Sequence, residues 1–251
     1  MSTAKNKMFY QMGESGSLPF SENVEYAVKG FKKMHFEAQG FHPSTLARLP
    51  LRRKTPVKGS ITTYRKALDL LGVKQPVNMD IPESLKGYLH REVWTTTLGK
   101  VRNRTGRCFI KPLLHQKAFD GCIIDNGRFN AETRQLNDKL PILAAEEVRF
   151  GDEWRVYVLD NEILGICPYR FKHFGANLRK FSKEVLSMIE SFSREAPAAY
   201  ALDVGLIKNK GKVGLALVEV NEAFSCGNYG ISNLKYAMMN LARWNELMEN
   251  R

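Results

Sequence analysis

Two apolar segments near the C-terminal end of the chain carry polar side chains in a pattern that restricts the fold. Residues 201–205 and 217–221 both read as β-strands, and the loop at residues 208–212 contains the Asn and Gly residues that tight turns favour. Successive side chains on a strand point to opposite faces, so Glu219 and Asn221 lie on the same face. The two segments therefore predict a β-hairpin with polar groups on one side.

The polar face of this hairpin predicts a site for a hard metal cation. Asp203 joins Glu219 and Asn221 there if the two strands pair in an antiparallel manner. Mg²⁺ binds carboxylate and amide oxygens and usually completes its shell with water and nucleotide phosphates. Strict alternation also predicts that Val218 and Val220 pack together beneath the polar face. The pattern alone also fits a turn-forming aspartate beside two side chains on a solvated face.

Composition is typical of a globular protein from a reducing compartment. The 251 residues are 43% hydrophobic and 25% charged, which allows a substantial core in one large domain or two small ones. The four cysteines are far apart and form no Cys-x-x-Cys pair, so we expect free thiols and no zinc site. Cys108 and Cys167 lie in apolar runs, where we expect them to be buried.

Charge and hydropathy restrict the partners of the chain. The formal net charge of +12 favours phosphates, carboxylates or nucleic acid without choosing among them, and residues 48–54 are its densest source. The first 21 residues lack the apolar core of a signal peptide, and no segment has 18 consecutive apolar residues. We therefore expect a cytoplasmic protein without a membrane partner.

Hydrophobic periodicity predicts a helix-rich N-terminal part. Apolar residues spaced by three or four favour helices over residues 24–39, 60–71 and 82–94. Ser60 or Thr62 suits the N-cap of the second helix. Residues 43–58, with three prolines, read as a loop or crossover.

The strand signal becomes stronger after residue 107. The predicted strands cover residues 108–111, 121–125, 142–145, 154–159 and 162–168. Asp160 and Asn161 suit a tight hairpin between the last two strands. A helix is expected over residues 178–192, and a closing helix is expected to bury an apolar stripe consisting of Ile231, Leu234, Met238, Leu241, Trp244 and Met248.

The order of five motifs resembles the ATP-grasp superfamily of ATP-dependent ligases. The motifs are Phe109-Ile110-Lys111-Pro112, Ala145-Glu146-Glu147-Val148, Gly151-Asp152-Glu153-Trp154-Arg155, Asp203 and Glu219-Val220-Asn221. The resemblance implies an α+β, ATP-grasp fold in which two subdomains grip a nucleotide. It places the ATP-grasp domain at residues 105–251 with a hinge near residues 144–150, and a small α/β domain of the pre-grasp type at residues 1–104.

Two lysines match positions that contact nucleotide phosphates in this superfamily. Lys111 follows an apolar strand, where it would otherwise be read as a surface lysine whose ammonium reaches solvent. Lys117 lies where the superfamily places a mobile loop over the triphosphate, although this loop lacks the several glycines of many members. The resemblance implies that both lysines bind ATP.

Two glutamates and two arginines complete the candidate site. The resemblance implies that Glu147 lies at the hinge near the adenine amino group and that Glu153 holds the ribose hydroxyls; solvent exposure is the alternative for the acidic residues. Arg155 and Arg170 lie on successive predicted strands. A guanidinium suits a transferring phosphoryl group or a substrate carboxylate because its planar fork donates two hydrogen bonds. A structural ion pair is the alternative for either arginine.

These implied roles describe an ATP- and Mg²⁺-dependent ligase of the carboxylate–amine type. Asp203, Glu219 and Asn221 would hold Mg²⁺ while a substrate carboxylate is converted to an acylphosphate and an amine then displaces phosphate. No nucleophilic side chain is needed, since phosphoryl transfer depends on alignment and charge neutralisation. A small-molecule kinase on the same scaffold, a basic nucleic-acid-binding protein and an ATP-binding protein without catalysis are the alternatives, and the carboxylate and amine remain unidentified.

Overall fold

A computed structural model describes residues 6–113, 118–170, 178–209 and 212–249. Lys117, one of the two predicted phosphate-binding lysines, lies outside the described residues. The described chain contains three sheets and helices on both sides of the largest sheet, so the predicted α+β class is confirmed. Within these ranges no helix is both long enough and apolar enough to cross a lipid bilayer.

The N-terminal part is built on a parallel sheet in the order β2-β1-β3. Its elements are β1 (Lys7–Gln11), α1 (Glu22–Lys33), β2 (Glu37–Phe41), a 3₁₀ helix (Pro43–Arg48), β3 (Val57–Lys58) and α2 (Ile61–Leu70). Ser60 caps α2, as predicted, with its side chain accepting from the backbone NH of Thr63. The predicted helix over residues 24–39 is too long, because His35 has a φ of 64° and ends the helical path before β2 begins.

The small sheet has the order β4-β7-β5-β6 and is antiparallel throughout. Its strands are β4 (Val93–Thr97), β5 (Arg107–Pro112), β6 (Cys122–Asp125) and β7 (Pro141–Glu146), and α3 (Leu98–Arg102) and α4 (Ala131–Arg134) connect them. The helix expected through Trp94 is wrong, since only a 3₁₀ helix (Glu83–Tyr88) forms and Trp94 lies on β4. Because β4 pairs with β7, a strand before residue 104 shares this sheet with strands after it. The division of the chain at residue 104 stays a prediction.

The large sheet has the order β11-β10-β8-β9. Its strands are β8 (Phe150–Leu159), β9 (Glu162–Arg170), β10 (Ala199–Asn209) and β11 (Lys212–Glu222). Asp160 and Asn161 have φ values of 50° and 63°, which confirms the tight hairpin between β8 and β9. One face of the sheet packs on α5 (Leu178–Phe192), and the other packs on α1 and α6 (Asn233–Glu249).

The buried stripe of α6 differs from the predicted stripe. Leu234 and Met238 are exposed, whereas Tyr236, Ala237 and Asn240 are buried. The difference arises because α6 also buries polar side chains, which a purely apolar periodicity passes over. All four cysteines are free thiols, and Cys108 and Cys167 are buried as predicted.

The pairing of β10 with β11 is antiparallel, as predicted, but it contains a β-bulge. Asp203 lies opposite Glu219, whereas the next pair is Val204 with Leu217, so Val218 has no direct partner on β10. The expectation that Val218 and Val220 pack together is therefore wrong. The core side chains of β11 are Leu215, Leu217 and Val220, which change strand parity across the bulge.

Candidate functional site

A cleft lies between the small and the large sheet, at the point where the chain passes from β7 to β8. It encloses a cavity of about 250 Å³. Its lining includes Phe109, Lys111, Leu143 and Ala145 from the small sheet, Phe150, Arg170, Val218 and Glu219 from the large sheet, and Glu146, Glu147 and Val148 from the connection. We name the part at residues 146–148 the hinge end, and the part at Lys111 and Glu219 the polar end.

Lys111 bridges the two sheets at the polar end. Its Nζ atom lies 2.7 Å from Oδ1 of Asp80 and 2.8 Å from Oε2 of Glu219. Burial lowers the pKa of the ammonium, but the two carboxylates outweigh burial and the pKa is raised, so Lys111 stays charged. The surface-lysine alternative therefore does not describe this side chain, which is 17% exposed and faces the cleft.

The three predicted metal ligands converge beside Lys111. Nδ2 of Asn221 lies 3.1 Å from Oδ2 of Asp203 and 3.1 Å from Oε1 of Glu219. Asp203 is 3% exposed, so it does not lie on a solvated face. Rotation of the Asn221 amide by 180° would present its oxygen where the nitrogen now lies, and two carboxylates plus one amide oxygen suit Mg²⁺. The donor set therefore fits the predicted cation.

The charges of these acids are set by their neighbours. Burial raises the pKa of Glu219, but the Lys111 ammonium and the Asn221 amide outweigh it and hold the pKa below the usual range. Burial raises the pKa of Asp203, and the hydrogen bonds from Arg155 act against that rise. Across the described ranges, no three Asp, Glu, His or Cys side chains form a metal-binding group, because the third candidate ligand here is an asparagine.

Arg155 forms a buried, bidentate ion pair with Asp203. Its Nε and Nη2 atoms lie 2.7 and 2.6 Å from the two carboxylate oxygens. Its Nη1 donates to the carbonyl of Gly227, and its guanidinium lies 4.5 Å from the ring centre of Tyr229. Burial lowers the pKa of Arg155, but the hydrogen bonds to Asp203 more than reverse this effect. The ion-pair alternative weighed from the sequence is thus present, at the candidate metal site itself.

Glu153 and Arg170 contact each other rather than facing separate ligands. Nη1 of Arg170 lies 3.0 Å from one carboxylate oxygen of Glu153, and the Tyr169 hydroxyl donates to the other at 3.0 Å. Glu153 is buried, while the Arg170 side chain is 56% exposed and lines the cleft. A role for Glu153 at the ribose stays a prediction that requires these partners to exchange.

The hinge end carries exposed charges. Glu147 accepts two hydrogen bonds from Arg107, at 2.5 and 3.0 Å, and the bond to Arg107 lowers the pKa of the Glu147 carboxyl. Glu146 donates its backbone NH to the carbonyl of Glu92, which ties β7 to the start of β4. The hinge glutamates thus line the cleft, as expected of groups near a bound adenine.

Two residues of the site were missed by the sequence analysis. Asp80 has a φ of 41°, bonds Lys111 through its side chain, and accepts the NH of Val220 through its carbonyl. Arg91 donates to the carbonyls of Leu217 and Val218 and lies 5.2 Å from the ring centre of Phe150. Both precede β11 by more than a hundred positions, and no local pattern in the sequence distinguishes them from other charged residues.

Comparisons with known proteins agree with this geometry. A family described as an ATP-grasp domain, the second family of its clade, matches residues 88–239, which is more than half of the chain. No curated protein matches the chain.

Three solved structures are similar in fold at low sequence identity. The ATP-grasp ligase PsnB complexed with minimal precursor has a TM-score of 0.53 at 13% identity, with 94% of this chain and 98% of that chain covered. A RimK domain protein from Sphaerobacter thermophilus has a TM-score of 0.54 at 13% identity, with 96% and 98% covered. N5-carboxyaminoimidazole synthetase from Staphylococcus aureus has a TM-score of 0.60 at 9% identity, with 96% and 78% covered.

Proposed function

The chain belongs to the ATP-grasp superfamily, and from this membership we propose that it is an ATP- and Mg²⁺-dependent ligase that joins a carboxylate to an amine or similar nucleophile. The observation that carries the proposal is the polar end of the cleft. There, Lys111, Glu219, Asn221, Asp203 and Arg155 form one continuous network of hydrogen bonds. The network offers cations for phosphates and oxygens for a metal ion in a single place.

The proposed ATP site extends along the cleft. The hinge residues 146–148 and the apolar side chains of Phe109 and Leu143 offer a surface for the nucleoside. Lys111, together with Lys117, would meet the phosphates. Lys111 has two carboxylate partners, so it is able to leave Glu219 while Asp80 retains it. Mg²⁺ held by Asp203, Glu219 and Asn221 would neutralise charge on the phosphate oxygens.

The proposed chemistry needs positioning rather than a nucleophilic side chain. The substrate carboxylate oxygen forms a bond to the γ-phosphorus as the bond to ADP breaks, which yields an acylphosphate. The amine then attacks the acyl carbon, loses a proton and releases inorganic phosphate. Arg170, exposed at the cleft, would bind the incoming carboxylate, and Arg155 would balance the negative charge from its place beside Asp203.

The solved structures support this class of reaction without identifying the substrates. PsnB has been captured with a precursor peptide and AMPPNP, and with Mg and ADP. D-alanine–D-alanine ligase from Bacillus anthracis and the D-cycloserine synthetase DcsG share the fold. The acceptor proposed for this chain is therefore a carboxylate on a peptide or a small molecule.

Calorimetric titration with a non-hydrolysable ATP analogue, with and without Mg²⁺, tests the nucleotide site. We expect Mg²⁺ to tighten binding by wild-type protein and to lose that effect in Glu219→Gln, because the variant removes a metal-binding charge. Lys111→Met should weaken binding under both conditions, because it removes a phosphate-binding cation.

Glu37→Gln is the matched control for Glu219→Gln. Glu37 is an exposed glutamate on β2 that pairs with Lys7, far along the chain from the cleft residues. Its variant should bind as wild type does. Folded wild-type protein that does not bind the analogue, or a Glu219→Gln variant with unchanged Mg²⁺ dependence, would contradict the proposal. With candidate substrates, release of inorganic phosphate and a new bond indicate a ligase, whereas a stable phosphorylated acceptor indicates a kinase.

A further inference from the structure

The β-bulge on β11 determines which side chains of that strand face the cleft. Before the bulge, the odd-numbered residues Leu215 and Leu217 pack into the core; after it, the even-numbered Val220 does so. In an unbroken strand, Glu219 and Asn221 would lie on the same face as Leu217 and point into the core. The extra residue at Val218 reverses the alternation, so the two polar side chains point towards Asp203 instead.

Arg91 contacts the backbone of the bulge. Its Nη1 atom lies 2.6 Å from the Leu217 carbonyl, and its Nη2 atom lies 3.0 Å from the Val218 carbonyl. Consecutive carbonyls of a regular strand point to opposite edges, so one guanidinium reaches both only where the strand is irregular. The planar fork of arginine is suited to two acceptors at this spacing.

The position of β11 in the sheet leaves these carbonyls without strand partners. β11 is the edge strand in the described order β11-β10-β8-β9, so its outer side has no neighbouring strand to accept from it. Arg91 is itself fixed there, since its Nη1 also donates to the Leu89 carbonyl and its guanidinium lies over the ring of Phe150. Phe150 begins β8, so Arg91 connects the bulge to the strand that follows the hinge.

We propose that Arg91 is a positioning residue that stabilises the bulge at Val218 and thereby directs Glu219 and Asn221 into the cleft. The part of this inference that concerns metal rests on the proposed function. The part that concerns the bulge does not, because it is a statement about the backbone of the protein without ligands.

Hydrogen exchange of the nucleotide-free protein tests the backbone part. Arg91→Met keeps an apolar stem of similar length and removes the hydrogen bonds to both carbonyls. We expect faster exchange in peptides that cover residues 215–222, with unchanged exchange in α5. Unchanged exchange at residues 215–222 in a folded variant would overturn the inference whatever the protein binds.

Analogue binding with and without Mg²⁺ tests the consequence for the metal ligands. Arg91→Met should weaken binding with Mg²⁺ about 10-fold and change metal-free binding by less than about threefold, because displaced supporting groups act through the metal ligands. Equal losses under both conditions would mean that Arg91 contacts the nucleotide directly and would overturn the inference. Wild-type protein that does not bind the analogue would contradict the proposed function and leave the decision to hydrogen exchange.

Two further variants complete the test. Arg91→Lys keeps the positive charge and one donor group, so we expect an intermediate loss of Mg²⁺ dependence and a folded protein even if Arg91→Met proves unstable. Arg104→Met is the matched control, since Arg104 is an exposed arginine lying over the ring of Trp94 and its variant should match wild type. A loss in Arg104→Met equal to that in Arg91→Met would overturn the specific role of Arg91.

Discussion

The two ends of the cleft contain ion pairs that differ in their exposure to water. At the polar end, Arg155 and Asp203 are 7% and 5% exposed at their side chains and share two hydrogen bonds. At the hinge end, Arg107 and Glu147 also share two hydrogen bonds, but their side chains are 53% and 29% exposed. The same pairing chemistry is therefore present in two different dielectric environments.

This difference predicts how each end responds to mutation. A buried charge that loses its partner has no water to replace it, so the loss is large. An exposed charge that loses its partner becomes hydrated, and the change in stability is small. Local order at the polar end is thus built into the fold, whereas the charges of the hinge end are free to exchange partners for a ligand.

Asp203→Ala should give the largest effect on stability. It leaves the Arg155 guanidinium buried without its carboxylate, and we expect the free energy of unfolding to fall by about 3 to 5 kcal/mol. Chemical denaturation measures this change. The double variant Arg155→Met/Asp203→Leu should lose less than Asp203→Ala alone, because no unpaired charge remains; a double variant that is less stable than the single one would break the comparison.

Lys58 sharpens the comparison because it is a buried cation with neutral hydrogen-bond partners. Its Nζ donates to the Phe224 carbonyl at 2.9 Å and to Oδ1 of Asn240 at 2.7 Å, and burial lowers the pKa of Lys58 to about 8. Between this value and the unfolded value of 10.5, the unfolded chain binds more protons than the folded chain does. Stability from this group should therefore rise with pH in that window.

Lys58→Met separates this effect from other titrations. The free energy of unfolding of wild type minus that of the variant should increase between pH 8 and pH 10 by up to about 1.4 kcal/mol per pH unit. Urea denaturation at several pH values measures the difference. A difference that is constant over this range would show that Lys58 keeps an ordinary pKa despite its burial.

Glu147→Gln should give the smallest effect. The Arg107 and Glu147 side chains are exposed, so their ion pair is screened by water and salt. We expect thermal unfolding at the same midpoint as wild type, in low and in high salt. A clear drop in the midpoint, comparable to that of Asp203→Ala, would remove the distinction between the two ends of the cleft.

Much of the fold was predictable because the signals are local. The alternation in residues 154–159 and 162–168, with Asp160 and Asn161 between them, identified β8, β9 and their tight turn. The antiparallel pairing that brings Asp203 opposite Glu219 was also predicted. The end of α1 was not, since apolar residues at positions 36 and 38 continue a helical spacing while belonging to β2.

The candidate site was predictable only where its residues lie on recognisable strands. Lys111, Asp203, Glu219 and Asn221 do meet within hydrogen-bonding distance of one another along a network. Asp80 was missed because its segment carries no helix or strand signal of its own. The roles of Glu147, Glu153, Arg155 and Arg170 towards ligands stay predictions.

The sequence by itself determined the local elements and the order of the motifs, because strand alternation, turn residues and caps act over a few neighbouring positions. The tertiary structure decided which face of β11 is polar, since the bulge at Val218 is defined only by the register with β10. It also decided that Arg91 and Asp80 support that strand, because contacts across more than a hundred positions depend on how the sheets pack rather than on any local pattern.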